Sequence, residues 1–287
     1  MKTQKFGIEI EMTGLTREKA ARVVANHFGT TATYAGGGYN AWQAKDNIGR
    51  TWKLMSDSSI TVNGGEAVEL VSPICVYQDI ETIQEIIRKL RAAGAKTNDS
   101  CGIHVHINAQ PHTAQSLRNI ANIMASKEDL LFKALEVKSG RETYCKKADA
   151  EFIKKINARK PRTITELQRI WYNGRDESNM HYSQTRYTAL NLHAVFSKGT
   201  VEFRLFNGTT HAGKIKAYIQ LCLAISHQAM TQKSASATKT QTTNAKYTFR
   251  TWLLRLGMIG DEFKTAREHL LAKLDGDIAF RNGRAAA

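Results

Sequence analysis

Between Phe6 and Met12 the chain alternates Phe6, Ile8, Ile10 and Met12 with Gly7, Glu9 and Glu11. That two-residue period predicts a strand with one apolar and one polar face. Thr16 is placed to cap a helix running through Phe28, with Glu18 in its first turn. Short strands are predicted over 31–34, 41–45 and 51–55, with Gly36-Gly37-Gly38 turning the chain between the first two. Another strand covers 67–71 and is closed by Ser72-Pro73. From Tyr77 to Ala93, Ile80, Ile83, Ile86, Ile87 and Leu90 recur at three and four, which marks an amphipathic helix stopping at Gly94.

The second half reads similarly. A strand over 103–108 is followed by helices over 114–126, 127–137, 148–157 and 163–171. Strands over 187–193 and 200–206 are predicted to form a hairpin, with Lys198-Gly199 as its tight turn. A long helix covers 211–230, residues 232–244 have no apolar periodicity and read as an exposed loop, and helices over 247–256 and 261–274 follow. Strands that cluster through hairpins, rather than alternating one for one with helices, predict an α+β fold with a largely antiparallel sheet flanked by helices. No repeat of 20 to 50 residues is visible, which argues against a solenoid.

Composition adds three constraints. With 42% hydrophobic residues and 3 Pro in 287 residues, the chain has the apolar content for a large folded core. Its 41 Lys+Arg exceed its 26 Asp+Glu, giving +15. The excess is uneven: 1–137 carries +1, 138–175 carries +7 and the remainder +7. Such a basic second half suits a polyanion, such as nucleic acid, nucleotide or acidic glycan, or else is a solvated face that keeps the protein soluble. Cys75, Cys101, Cys145 and Cys222 have no C-x-x-C spacing, so neither a zinc knuckle nor a disulfide scaffold is expected and a reduced, cytoplasmic setting is. No apolar run is long enough to predict a signal core or a membrane span. The final Ala285-Ala286-Ala287 does not enter the fold argument.

The functional signal is polar chemistry inside strands. Glu9 and Glu11, two apart, project from one face. Held that close, two anions need a cation or a raised pKa, and hard oxygen ligands on a rigid strand suit Mg2+ or Mn2+. An edge strand showing both to water is the simpler alternative. His104 and His106 share a face opposite Ile103, Val105 and Ile107, the alternative being one core and one exposed histidine. Glu202 and Arg204 share a face opposite Val201, Phe203 and Leu205, where a cross-strand salt bridge is the alternative. Glu69 is an acid within an apolar strand, with Glu66 just outside it. Together these strands build a polar concavity suited to metals and an anionic ligand. Arg204 is fitted to phosphate, and the chemistry is phosphoryl transfer or metal-assisted hydrolysis.

These motifs, Phe6-Gly7-Ile8-Glu9-Ile10-Glu11, Glu69-Leu70-Val71-Ser72-Pro73, Cys101-Gly102-Ile103-His104-Val105-His106, and Asn191-Leu192 followed by Glu202-Phe203-Arg204, occur in an order that resembles the amidoligase family. That family belongs to the carboxylate-amine ligase superfamily of glutamine synthetase and glutamate-cysteine ligase. The resemblance covers about residues 5–230 and implies a curved antiparallel sheet like the glutamine synthetase catalytic domain, binding ATP and Mg2+ or Mn2+. By the same likeness Glu9, His104 and Glu202 share a metal at the ATP phosphates, Glu11 and Glu69 hold a second near the acyl substrate, and Arg204 stabilises the transferring phosphoryl group. Glu69 and Arg204 are thus the expected catalytic pair, and Arg204 and His106 the expected cofactor contacts. His106 is open between metal ligand, substrate contact and strand support. Asp57 resembles a family acid near the acyl site and is equally an Asx-turn residue. No Gly-rich phosphate loop of the Walker type is present.

The expected reaction is ATP-dependent amide formation through an acyl phosphate, with carboxylate and amine substrates unnamed. A catalytic domain over 1–231 with a helical insertion at about 127–175, a mobile loop over 232–246 and C-terminal helices over 247–287 packed on the same domain are expected. Competing readings are a metal-dependent hydrolase or phosphatase on the same residues, a Cys101–His104 nucleophile pair, and a basic nucleic-acid-binding module without catalysis. A mixed reading has a ligase whose basic half docks an acidic macromolecule or nucleic-acid-linked substrate.

Overall fold

The computed structural model describes residues 1–62 and 64–281; Asn63 and the terminal residues 282–287, Ala285-Ala286-Ala287 among them, lie outside the described residues. Strands β1 (Phe6–Met12), β2 (Thr33–Gly36), β3 (Ala41–Lys45), β4 (Thr51–Met55), β5 (Val68–Val71), β6 (Gly102–Asn108), β7 (Leu190–Asn191) and β8 (Thr200–Asn207) form one open antiparallel sheet in the order β2-β3-β4-β5-β1-β6-β8-β7. The helices are α1 (Arg17–Phe28), α2 (Asp79–Ala92), α3 (Ala114–Leu135), α4 (Ala150–Arg159), α5 (Ile164–Trp171), α6 (His193–Lys198), α7 (Ala212–Thr231), α8 (Ala245–Arg255) and α9 (Lys264–Leu271). The fold is α+β, as the hairpin clustering predicts.

Two elements differ from expectation. The helices expected over 114–126 and 127–137 are one 22-residue helix, α3. Ser126-Lys127-Glu128 contains no Gly or Pro, and Leu130, Leu131, Ala134 and Leu135 continue the buried stripe of Ile120, Ile123 and Met124. The expected tight hairpin is instead the two-residue strand β7, then the six-residue helix α6, then β8. Gly199 acts there as a left-handed helix C-cap (φ 71°) and not as a hairpin turn residue. The antiparallel pairing itself is present, with Leu190 opposite Phe203 and Asn191 opposite Glu202.

The packing resolves two compact units. One comprises Lys2–His106 with Phe206–Ile219. Here the Thr16 side chain accepts from Lys19 N at 3.1 Å to start α1. The Ile face of α2 is fully buried, with Trp52 and Leu54 of β4 also in the core. Burial of Phe6, Ile8, Ile10 and Met12 secures one side of β1 and leaves the carboxylates on the other. At the start of β6, Gly208 N donates to Cys101 O at 2.8 Å, and a Cβ at Gly208 would lie 2.5 Å from Cys101 Cβ.

The other unit comprises Ile107–Leu205 with the chain from Gln220 onward. The buried amides of Asn119 and Asn122 on α3 donate to Gln232 O and Ala235 O, both at 2.9 Å, and Thr240 N donates to Ser126 O at 3.0 Å. Residues 232–244 have no helix or strand, and these bonds satisfy backbone groups that a sheet or helix would otherwise pair. His112 is buried between Ser116 Oγ (3.0 Å from Nδ1) and Ser226 Oγ (2.9 Å from Nε2). Burial lowers its pKa to about 4.

Two predictions follow from this packing. Gly208→Ala forces the Cys101 backbone to move and should lower unfolding stability by about 1–3 kcal/mol in a denaturant titration; an unchanged midpoint would show the contact relaxes freely. For His112 the folded pKa lies below the unfolded value of 6.5. The unfolded chain therefore takes up the proton first as pH falls, so stability is full above that value and declines toward pH 4. Between pH 7.5 and 4.5 the native protein should lose about 2.5 kcal/mol more than His112→Gln, and equal losses would refute it.

Candidate functional site

Strand alternation places the candidate groups. Glu9 and Glu11 occupy the face of β1 opposite its buried apolar side chains, and in the sheet β1 lies between β5 and β6. His104 and His106 come from β6, Glu69 from β5 and Asp57 from the turn after β4. Glu11 is only 3% exposed, His104 5%, His106 7% and Glu69 9%. The edge-strand alternative therefore fails for β1, and neither histidine of β6 is exposed.

The cluster is tightly paired. Glu9 Oε2 lies 3.0 Å from His104 Nδ1 and Glu9 Oε1 lies 3.3 Å from His106 Nε2. His104 Nε2 is 3.7 Å from Glu11 Oε1, while Glu11 Oε2 accepts from Gly102 N at 2.5 Å. Burial pushes the Glu9 carboxyl up, but the imidazoles of His106 and His104 outweigh it and hold it well below the usual carboxylate range. Both ring nitrogens of His104 thus face carboxylates. That orientation does not suit a base for Cys101, whose buried thiol donates to Asn98 Oδ1 at 3.5 Å.

Glu11 stands directly opposite Glu69 across the β1–β5 ladder. Unit charges about 5 Å apart repel by roughly 3 kcal/mol at an effective dielectric near 20. Ligand atoms of Glu9, Glu69 and His104 lie within 4.8 Å of one another, and so do those of Glu11, Asp57 and Glu69. Glu69 is common to both sets. Carboxylate oxygens with one imidazole nitrogen form a hard donor set that fits Mg2+ or Mn2+, and two sets sharing one carboxylate fit a pair of such ions. Asp57 Oδ1 accepts from Ser59 N at 2.7 Å, the Asx-turn bond weighed for it, and the same side chain belongs to the second donor set.

Glu202 and Arg204 belong to the other unit, on β8. Glu202 accepts from Asn191 Nδ2 at 2.6 Å and from Arg204 Nη1, so the ion pair here lies within β8, between its own two polar residues, and is not the cross-strand salt bridge weighed for this strand. Arg204 Nε donates to Tyr144 O at 3.5 Å. Arg141, in a 3-10 turn over Ser139–Arg141, is buried and donates from Nη2 to Arg204 O at 3.2 Å. In sequence Arg141 is one cation in a basic run, and only the fold marks it out. Beside Glu202 is a cavity of about 270 Å3 lined also by Asn191, His193, Arg186 and Lys198. A carboxylate only accepts, so Asn191 must turn its amide nitrogen to Glu202. Its buried Oδ1 then has no hydrogen-bond partner among the described residues. Tyr172 Oη and His193 Nδ1 are 2.6 Å apart, and burial lowers the His193 pKa.

The family model described as a putative amidoligase enzyme matches residues 2–226. No curated protein matches the chain. The match takes in most of the chain and every strand residue discussed above, and on that basis the chain belongs to the putative amidoligase family, a family of ligase-type enzymes.

Proposed function

We propose that the protein is an ATP-dependent carboxylate-amine ligase. The observation that carries this reading is the buried carboxylate–imidazole cluster in which Glu69 is shared by two metal-type donor sets. In the proposed reaction a substrate carboxylate oxygen takes the γ-phosphoryl group of ATP and releases ADP. The amine nitrogen then attacks the acyl carbon of that acyl phosphate, inorganic phosphate leaves, and the nitrogen gives up a proton as the amide forms.

Bound Mg2+ or Mn2+ would supply charge neutralisation for the phosphates and the substrate carboxylate. Glu9, His104 and Glu69 are the groups to hold one ion, and Glu11, Asp57 and Glu69 the other. Glu202 is proposed as a further ligand. His106 orients Glu9 through its contact at 3.3 Å. The Gly102 N–H fixes the Glu11 carboxylate through Oε2, and His104 Nε2 lies 3.7 Å from Oε1. Arg204 would stabilise charge on the transferring phosphoryl group, positioned by Tyr144 O on its guanidinium and by Arg141 on its backbone carbonyl. A cytoplasmic site of action, where ATP is available, is part of the same proposal.

An ADP-release screen over paired carboxylate and amine pools with Mg2+ tests this reading. Turnover should need ATP, metal and both substrates, and Glu9→Gln with Glu11→Gln should lower kcat/KM by at least about 1,000-fold, or ~4 kcal/mol. Full turnover in that double variant sinks the assignment, and hydrolysis without ATP would point to a phosphatase or hydrolase. For the second donor set, Asp57→Asn should weaken Mn2+ binding by about 10- to 100-fold with the circular dichroism spectrum unchanged. Undiminished Mn2+ affinity in a titration would remove Asp57 from the centre.

A further inference from the structure

Several surface cations in the unit of Ile107–Leu205 and the chain from Gln220 are matched to carboxylates: Lys147 to Asp129, Lys133 to Asp275, Lys273 to Glu136, and Lys239 to Glu128. A cavity of about 820 Å3 in the same unit departs from that pattern. Lys127, Arg255 and Arg281 line it, and no Asp or Glu among the described residues does. Its volume is within the range of roughly 300–1,000 Å3 typical of small-molecule sites.

The wall comes from one face of α8. Thr248, Thr251, Trp252 and Arg255 recur at three, four and seven and so share a side of the helix, with Tyr247 beside them. The opposite wall is the non-helical stretch 241–243. Thr242 and Thr243 there, with Thr248 and Thr251, bring hydroxyl groups alongside the cations. Lys127 Nζ donates to Thr240 Oγ1 at 2.6 Å, so the ammonium is tethered at the cavity. Burial and the neighbouring charge of Arg255 both lower the Lys127 pKa. In the free protein these two cations oppose one another, and an anion between them would relieve the repulsion.

We propose that this cavity binds a phosphate-bearing ligand of nucleotide size, with Lys127, Arg255 and Arg281 on the phosphate oxygens. The Thr243 and Thr251 hydroxyls complete the hydrogen bonding, Thr242 and Thr248 bond to one another in the wall, and Tyr247 and Trp252 supply the apolar surface for an attached ring. Of the lining residues only Lys127 falls within the stretch matched by the family, so the site belongs to the part of the chain that the ligase reading leaves unused. A free nucleotide and a single-stranded nucleic acid present the same chemistry.

Calorimetry of the full chain with AMP, with inorganic pyrophosphate and with a short single-stranded oligonucleotide, all in EDTA at low salt, tests the proposal. EDTA keeps divalent ions from bridging phosphate to the carboxylate cluster. At least one probe should bind and weaken as salt rises, and Arg255→Gln or Lys127→Gln should each reduce affinity at least about 10-fold. Glu9→Gln should leave that affinity unchanged, so failure of the ligase reading and failure of this one are separable. AMP binding identifies a nucleotide site, whereas binding of the oligonucleotide alone identifies a nucleic-acid site. Absence of binding by every probe overturns the proposal, and so does affinity that survives both cavity variants or is lost equally in Glu9→Gln. Arg255 is exposed on its helix, so Arg255→Gln should fold normally, as a circular dichroism melt would show.

Discussion

The placement of Glu11 directly opposite Glu69, on neighbouring strands and largely out of water, is the constraint on which the site depends. An ordinary sheet would fill such positions with β-branched or aromatic side chains and gain both packing and burial. Here the ladder holds two carboxylates face to face, with Glu9 and Asp57 close by and the imidazoles of His104 and His106 against Glu11 and Glu9. The strands remain a sheet because the reverse side of β1 and Val68 and Leu70 of β5 are fully buried. A cation binding this cluster in the folded chain alone would stabilise the fold by RT ln(1 + c/Kd), with c the free cation concentration. Sheet stability and such binding would therefore be linked through the same carboxylates.

That linkage explains why the site was legible in the sequence to the extent that it was. A strand's period of two fixes which side chains share a face, so Glu9 with Glu11, and His104 with His106, could be paired from spacing alone. Their convergence could not, because it depends on β1 lying between β5 and β6, an order that no local pattern encodes. Only the sheet order of the folded chain brings the pairs together. Asp57 and Arg141 mark the limit. Asp57 sits in a Ser-rich turn whose local hydrogen bond accounts for it completely, and Arg141 is one cation in a basic run. Each acquires its second meaning only from partners distant in the chain.

The fold shows the same division. Helices with a clear apolar stripe are legible to within a residue or two, α1 because the Thr16 cap and the periodicity agree and α2 by its isoleucine stripe alone, since Gln78 makes no side-chain cap. The continuity of α3 was not, since a change from apolar to charged residues at Ser126-Lys127 looks like a boundary when only composition is considered. The stretch 187–199 was misjudged for the opposite reason. Its β-branched and aromatic residues resemble a strand, yet Gly199 accepts a left-handed conformation that ends a helix as readily as it turns a hairpin.

Residues 232–244 show why a composition argument can be right about structure and still miss what a segment does. Their Ser, Thr and Lys content gives no reason to form a helix or strand, and they form neither. Asn119, Asn122 and Ser126 on α3 nevertheless fasten the backbone of this stretch, using polar groups whose burial would be costly without such partners. The fastened chain then carries Thr240 to the Lys127 ammonium and brings 241–243 up as a wall of the basic cavity. The +15 charge consequently has a local meaning that its total conceals. Glu9, Glu11 and Glu69 gather on β1 and β5, and the cations lining one cavity of the second half have no acid among the described residues beside them.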